Sequence, residues 1–233
     1  MKGVILAAGL GSRLGKITKS IPKPLIKVKG VPVIERNIKV LSTLGVEEIF
    51  INMHYKSELI REFIGEGDKH GIKINYSIEH ELLGTAGALN NFKEKLVDDF
   101  FVVYGDNYFD FNLDELRKVH FAKKAGCTIG LYTREDSSES GVVFLDDKNR
   151  ITGFIEKPGN SLKSASLVNT GIYICSPSIF DFIPKGFSDF GKDIFPKMIQ
   201  TNFPLFGVQL KGFLFPIDNP ILLNIARETN DSG

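Results

Sequence analysis

Over its first third the 233-residue chain alternates short apolar runs with segments whose apolar residues recur every three or four positions. Val4-Ile5-Leu6 is a continuous apolar run of the kind that forms a buried parallel strand. Ile34, Ile38, Leu41 and Leu44 follow at helical spacing, with Gly45 placed to end the helix. Ile49-Phe50-Ile51 reads as a second strand, and Leu59, Ile60, Phe63 and Ile64 as a second amphipathic helix ending near Gly65. Ile72 to Ile78 alternates with period two, Ala86 to Leu96 reads as a helix, and Phe100 to Tyr104 as a deeply buried strand. This order predicts an α/β fold, Rossmann-like, with a mainly parallel sheet flanked by helices on both faces. Sheets of that kind bind ligands at the carboxyl ends of their strands, so chemistry is expected just after strands.

The second half reads differently. Thr128 to Thr133, Gly141 to Leu145 and Ile151 to Glu156 are short strands, with Asp147-Lys148-Asn149 as a hairpin turn. Leu167 to Cys175 is another strand, followed by helices around Ile179 to Ile183 and Asp193 to Thr201. The sheet is therefore expected to be mixed, within a single domain that shows no linker, repeat or low-complexity tract. Residues 228–233 read as a frayed tail.

A formal net charge of +1 gives no reason to expect a nucleic-acid or membrane partner, so any basic surface must be local and serve a small anion. No run is long enough for a signal peptide or a spanning helix, and the expected location is the cytosol. Cys127 and Cys175 lie in apolar strand-like runs and read as buried thiols. His54, His70, His80 and His120 show no zinc-type spacing and read as surface or packing residues.

The candidate chemistry begins directly after the first strand, at Leu6-Ala7-Ala8-Gly9-Leu10-Gly11-Ser12-Arg13. Small residues let the backbone approach a ligand, and their N–H groups can ring an anion. The loop is not a dinucleotide fingerprint, because Leu14 stands at the third glycine. Nor is it a P-loop, since Ile17 follows Gly15-Lys16 and offers no hydroxyl. Two cations follow: Arg13, which can fork onto phosphate oxygens, and Lys23, a point charge held between Pro22 and Pro24.

Leu-Ala-Ala-Gly-x-Gly-Ser-Arg followed by Pro-Lys-Pro closely resembles the sugar-1-phosphate nucleotidylyltransferases, and further matches run along nearly the whole chain. The resemblance implies the fold of the nucleotide-diphospho-sugar transferases, with residues 1–110 as a nucleotide-binding half and 111–227 as a sugar-phosphate-binding half. It implies that Leu6, Ala7, Ala8, Gly9, Gly11 and Ser12 hold the nucleotide, and that Arg13 and Lys23 act on the triphosphate. Gly84 and Thr85, in Leu83-Gly84-Thr85-Ala86-Gly87-Ala88, would lie against the base at a helix start. Asp106, in Tyr104-Gly105-Asp106-Asn107, would bind Mg²⁺, which takes hard oxygen donors. Glu156-Lys157-Pro158 and Val168-Asn169-Thr170-Gly171, with Gly141 and Asn107, would form the sugar-phosphate pocket: Asn107, Gly141, Glu156, Lys157 and Asn169.

One departure stands out. Family members end in an aromatic stretch, an aspartate that serves as second metal ligand, an apolar residue and Gly-Thr-Pro. Here Gly212-Phe213-Leu214-Phe215-Pro216-Ile217-Asp218-Asn219-Pro220 puts Pro216 where that aspartate belongs. Asp218 is the expected substitute ligand. The implied partners are a nucleoside triphosphate and a sugar 1-phosphate, with GTP and a mannose- or heptose-type phosphate favoured over dTTP or UTP with glucose 1-phosphate. A non-catalytic nucleotide-sugar-binding subunit and a cytidylyltransferase for a non-sugar phosphate stay open as alternatives, and a homo-oligomer is allowed. A glycosyltransferase of similar architecture fits less well, because Asp106 is followed by Asn107 and Tyr108 and not by a second aspartate.

Overall fold

The structure, a computed structural model, describes residues 1–161 and 165–229. The expected tail beyond residue 229 lies outside the described residues. Contacts divide the chain into two compact units, the first made of Met1–Leu82, Val102–Asp110 and the segment from Gly212, the second of Leu83–Phe101 and Phe111–Lys211.

The first unit opens with β1 (Lys2–Leu6), then α1 (Lys16–Ser20), a ribbon of β2 (Lys27–Val28) and β3 (Val31–Pro32), α2 (Val33–Thr43), β4 (Glu48–Met53), α3 (Ser57–Ile64) and β5 (Lys73–Ile78). Strands β1, β4 and β5 are parallel neighbours, in register from Lys2–Glu48 to Leu6–Asn52 and from Glu48–Lys73 to Met53–Ile78. The apolar runs of β1 and β4 are buried on both faces and read as continuous, whereas β5, at the sheet edge, is only partly buried and alternates. Helix α2 buries Val33, Ile34, Ile38 and Leu41, and Gly45 follows it with φ 76° as a left-handed stop. Gly65, φ 68°, ends α3 in the same way, its N–H on the Arg61 carbonyl.

The chain then enters the second unit with α4 (Gly84–Gly87), and β6 (Phe100–Tyr104) carries it back to the first. Residues Val102–Tyr104 of β6 lie beside β1, with Gly105 N–H bonded to the Leu6 carbonyl. Next come β7 (Asn107–Phe111), α5 (Asp114–Lys123), β8 (Cys127–Arg134), β9 (Gly141–Leu145), β10 (Ile151–Glu156), β11 (Ser166–Cys175), α6 (Phe195–Gln200) and β12 (Leu205–Gln209). In the second unit β10, β9, β11 and β8 are antiparallel in that order, and β12 joins β8 in parallel. An Arg150–Phe206 bridge returns the β12 edge to the start of β10. β13 (Gly212–Pro216) pairs with β7, and α7 (Pro220–Glu228) closes the described chain.

Several elements depart from the expected pattern. The helix over Ala86–Leu96 is one α-turn at Gly84–Gly87 followed by 3₁₀ turns over Ala88–Lys95. Its Asn90-Asn91 pair favours side-chain bonds over helix, and Asn90 Nδ2 donates to the Pro184 carbonyl at 2.8 Å. The helix at Ile179–Ile183 is a 3₁₀ turn, Pro177–Asp181. The last helix of the second unit begins as a π-turn, Phe190–Ile194. Pro196 has no N–H to give the Lys192 carbonyl, so no α-helical bond forms there. The chain crosses between the two units four times, with 83–101 and 111–211 in the second and the remaining described residues in the first. Strand pairing brings those segments together, and linear order does not record it.

His120 on α5 is buried, as a packing histidine should be. Its Nδ1 meets Thr128 Oγ1 at 2.9 Å, while Nε2 sits 3.4 Å from Asp99 Oδ2 without hydrogen-bond geometry. Burial disfavours its charge and outweighs the pull of Asp99, so its pKa is lowered on folding. The unfolded chain therefore takes up the proton first as pH falls below about 6.5. The melting temperature is expected to drop between pH 7 and 5, and the slope to shrink in His120→Asn, as thermal unfolding across that range will show.

Candidate functional site

In the first unit the glycine-rich loop leaves the carboxyl end of β1 with its first residues tied down. The Leu6 carbonyl accepts from Gly105 N at 2.8 Å, and Ala7 N donates to Asn52 O (3.2 Å) and Asn52 Oδ1 (2.9 Å). Asn52 Nδ2 in turn donates to Glu79 Oε1 at 2.7 Å. Among the described residues, the N–H groups of Ala8, Gly9, Leu10 and Gly11 have no protein acceptor. They form a run of open donors of the kind that receives an anion. Gly11 has φ 64°, and a Cβ there would stand 2.9 Å from Thr18 Cγ2 and 3.2 Å from Lys23 Cβ. Glycine is thus required for Lys23 to pass this close. Thr18 Oγ1 closes the turn by donating to the Gly11 carbonyl at 3.0 Å.

Pro22, at φ −65° and ψ 147°, aims the chain into a 3₁₀ turn over Lys23–Leu25, and Pro24 follows at its start. The Lys23 side chain runs inward, 8% exposed, and its Nζ bridges Asp106 Oδ2 and Asp218 Oδ1. Burial works against the Lys23 charge, but the two facing carboxylates outweigh it and hold the ammonium above its ordinary pKa. Arg13 is more exposed and places NH2 3.2 Å from Asp218 Oδ1.

Asp106 stands just past β6, and Asp218 reaches it because Ile217 N donates to the Asp106 carbonyl at 2.9 Å. Ile217 is fully buried in a cluster with Leu14, Ile26, Val28, Val33, Tyr108, Leu223 and Ala226. That cluster clamps the Asp218 segment onto the elements flanking the glycine-rich loop. Asn219 caps α7, its side chain accepting from Leu222 N, with Pro220 at the first helical position. Pro216 ends β13 and contributes only its carbonyl, which accepts from Asp218 N at 2.8 Å. The two-residue displacement of the aspartate still delivers a carboxylate to Asp106.

Two quarter-exposed carboxylates converging on one cation are a fit donor set for Mg²⁺, with the Lys23 ammonium standing in for the ion between them. No group of three or more His, Cys, Asp or Glu side chains able to hold a metal occurs among the described residues. Mg²⁺ does not require one, because it keeps waters and takes substrate phosphate oxygens.

In the second unit, Glu156 on β10 pairs with Gly141 on β9, and Val142 pairs with Val168 on β11. Asn169 follows Val168, so Glu156, Gly141 and Asn169 lie abreast on three adjacent strands, the outer two about 10 Å apart. Only glycine fits at position 141: a Cβ there would stand 2.5 Å from the Phe154 ring and 2.9 Å from Glu156 Oε2, so the Glu156 side chain lies directly over the Gly141 backbone. Gly191 approaches the same carboxylate, its Cβ position 2.4 Å from Oε2. Burial, reinforced by Asp189 and opposed by Lys157 and Lys192, raises the Glu156 pKa. Asn169 is locked at both ends, Oδ1 accepting from Gly171 N and Nδ2 donating to Tyr173 Oη, each at 2.9 Å. Lys157 adopts φ 48°, an uncommon conformation for lysine, with its N–H on the Ser140 carbonyl.

Gly84 and Thr85 also belong to the second unit, whereas Asn107, expected with the sugar pocket, is buried at the start of β7 in the first. Sequence reading missed Asn52 and Glu79, and it gave no site role to Asp189, whose Ser188–Asp193 stretch it took only as a likeness to the GTP-using branch. Asn52 lies near the carboxyl end of β4 and Glu79 just past β5, the end of the strands where α/β sheets place functional groups, and a polar residue closing each apolar run was the available signal.

Comparison with known proteins places the chain. The profile of the family described as nucleotidyl transferase matches residues 2–213. The chain is 37% identical over 225 residues to a UTP–glucose-1-phosphate uridylyltransferase of Synechocystis, covering 90% of this chain and 58% of that one. It is 36% identical over 225 residues to the mannose-1-phosphate guanylyltransferase catalytic subunit beta of Danio rerio, covering 94% and 62%. The chain thus spans about three fifths of the length of these curated relatives. Among solved structures, HddC from Yersinia pseudotuberculosis complexed with GMP-PN superimposes with a TM-score of 0.81 at 27% identity, over 97% of this chain and 98% of that one.

The buried ammonium gives a stability test. Asp106→Asn with Asp218→Asn leaves Lys23 charged and unpaired, at an expected cost of about 3–5 kcal/mol in urea unfolding. Adding Lys23→Met to the double variant is expected to recover most of that loss.

Proposed function

The chain belongs to the nucleotidyl transferase family, and we propose that it transfers a nucleotidyl group from a nucleoside triphosphate to a sugar 1-phosphate, releasing pyrophosphate. The observation that carries this reading is the convergence of Lys23, Asp106, Asp218 and Arg13 beside the open N–H groups of the glycine-rich loop. In this reading Leu6, Ala7, Ala8, Gly9, Gly11 and Ser12 cradle the nucleotide, and Arg13 and Lys23 meet its triphosphate. Glu156 and Asn169, with Gly141 between them, bond sugar hydroxyls, and Lys157 holds the sugar phosphate.

A sugar phosphate is largely dianionic near neutral pH, its second pKa being about 6, so its own oxygen is the nucleophile and no general base is needed. That oxygen forms the new bond to the α-phosphorus, and the bridging bond to the β-phosphate breaks with its electron pair leaving on pyrophosphate. The work of the protein is to hold two anions in line and offset their repulsion. Lys23 and Arg13 do this by charge, Lys23 moving from its carboxylates to the α-phosphate oxygens. Asp106 and Asp218 would then hold Mg²⁺, which supplies charge neutralisation on the phosphates when bound.

GTP with a mannose- or heptose-type 1-phosphate is the proposed pair, supported by the names of the Danio rerio relative and of the GMP-PN complex. The Synechocystis relative favours UTP with glucose 1-phosphate as the second pair to test. No described helix is long and apolar enough to cross a membrane, and the cytoplasm, which supplies nucleoside triphosphates, is the proposed location.

Pyrophosphate release across four nucleoside triphosphates and a panel of sugar 1-phosphates tests the reading; silence with every pair would sink it. Lys23→Ala is expected to lower kcat by about 10²–10³-fold with little change in KM for the sugar phosphate. Because the Glu156 pKa is raised, its carboxylate takes up a proton earlier than an ordinary one as pH falls. The sugar-phosphate KM is therefore expected to climb on the acid side more steeply than protonation of the substrate alone gives, and Glu156→Gln to start high and keep only the substrate's own pH dependence.

A further inference from the structure

The sequence places Thr85 beside the nucleobase, yet its hydroxyl is already engaged. Thr85 Oγ1 donates its only proton to Asp189 Oδ2 and accepts from Phe190 N, both at 2.9 Å. The backbones on either side are stapled too. The Ser188 carbonyl accepts from Ala86 N (3.0 Å) and Gly87 N (3.1 Å), and Ser188 N donates to the Leu83 carbonyl (2.9 Å). The fit is close enough that a Cβ on Gly84 would lie 2.4 Å from the Ser188 carbonyl oxygen, and one on Gly87 2.3 Å from that of Gly186. Residues 83–87 and 186–190 are therefore one block.

That block leads to both proposed sugar ligands. Asp189 Oδ1 accepts from Gly191 N (3.0 Å) and Lys192 N (3.3 Å), and Asp189 N donates to Asp193 Oδ2 (2.7 Å). Asp189 thereby fixes Gly191, whose backbone walls the Glu156 carboxylate. Phe190, fully buried, packs edge-on to Tyr173 at 4.9 Å between centroids, and the Tyr173 hydroxyl accepts from Asn169. One hydroxyl on the 83–87 segment thus sets the wall of Glu156 through Asp189 and the support of Asn169 through Phe190.

We propose that Thr85 and Asp189 are positioning residues for the sugar-phosphate pocket, the Thr85 hydroxyl holding the Asp189–Gly191 turn against Glu156 and leaving the nucleotide untouched. This rests on the sugar 1-phosphate reading of Glu156 and Asn169. The Gly-Thr segment then serves in two ways, its backbone opening a helix while its side chain shapes the site of the other substrate. Thr85→Val keeps the shape and removes the bonds, leaving Asp189 Oδ2 without its hydroxyl donor while Oδ1 keeps the Gly191 and Lys192 N–H groups. Loss of one such charge-assisted bond corresponds to about a tenfold effect.

The test is steady-state kinetics on the full chain with both substrates varied. Thr85→Val is expected to raise KM for the sugar 1-phosphate about tenfold, to leave KM for the triphosphate unchanged, and to be rescued by Thr85→Ser. Asp189→Asn, which keeps one acceptor for the Gly191 N–H, is expected to show the same split more weakly. A rise in triphosphate KM with the sugar value unchanged, or no rescue by serine, overturns the proposal. Should the wild type release no pyrophosphate, the reaction reading fails by itself. Calorimetric titration of wild type and Thr85→Val with GTP and with mannose 1-phosphate then decides between the two roles by which affinity moves. If Thr85→Val does not fold, the Asp189→Asn split decides in its place.

Discussion

A lysine ammonium is buried in the first unit, and a buried charge is tolerated only where opposite charge is brought to it. Lys23 is held inward by Pro22 and Pro24, so two carboxylates have to be delivered to one point from residues 83 and 195 positions further along the chain. Much of the unit follows from that requirement. Gly105 lets the end of β6 lie against Leu6, the Ile217–Asp106 bond joins the two carboxylate segments, and the Ile217 cluster holds them down. Gly11 is the complementary concession, since any side chain there would meet Lys23 and Thr18. The same arrangement that solves an electrostatic problem for the fold leaves a cation and two hard-oxygen donors beside a loop of open N–H groups.

The second unit works by omission. The proposed sugar-phosphate site is bounded by charged and amide side chains, and Gly141 and Gly191 stand where any Cβ would strike Glu156 or Phe154. Beneath it, Phe154, Tyr173, Phe190 and Phe195 pack ring on ring with centroids 4.9–5.3 Å apart, a stiff floor for polar groups that must be held in place. Glu156 takes its raised pKa from this enclosure first and from neighbouring Asp189 second.

Much of this was legible in the sequence, for reasons that can be stated residue by residue. Strands β1 and β4 were readable because burial on both faces makes their sequences continuously apolar, β5 because its half-buried edge position makes its sequence alternate, and Gly45 and Gly65 announced the helix ends. The meeting of Lys23 and Asp106 was expected from the family resemblance, and Asp218 was picked out by aligning that resemblance on Pro220. Strands β7, β12 and β13 were not read, because five-residue strands whose pairing partner is distant carry little periodicity of their own. The π-turn before α6 was hidden for the opposite reason: Asp193 to Thr201 looks helical, and only the missing N–H of Pro196 distinguishes its start. The engagement of Thr85 could not be read at all, since a hydroxyl beside a glycine says nothing about a carboxylate 104 residues away.

The separation between Asp106 and Asp218 also has a consequence in time. A ribosome adds about 5–20 residues per second, so the two counterions of Lys23 emerge roughly 6–20 seconds apart. Throughout that interval the nascent chain has made β1, β4 and β5, yet it holds a lysine with at most one of its two carboxylates and a cluster still lacking Ile217, Leu223 and Ala226. The unit begun first is thus completed last, after the whole intervening unit has been synthesised. A chain stalled or cleaved in that window would present the open apolar seat of Ile217, a natural mark for chaperones and proteases to read.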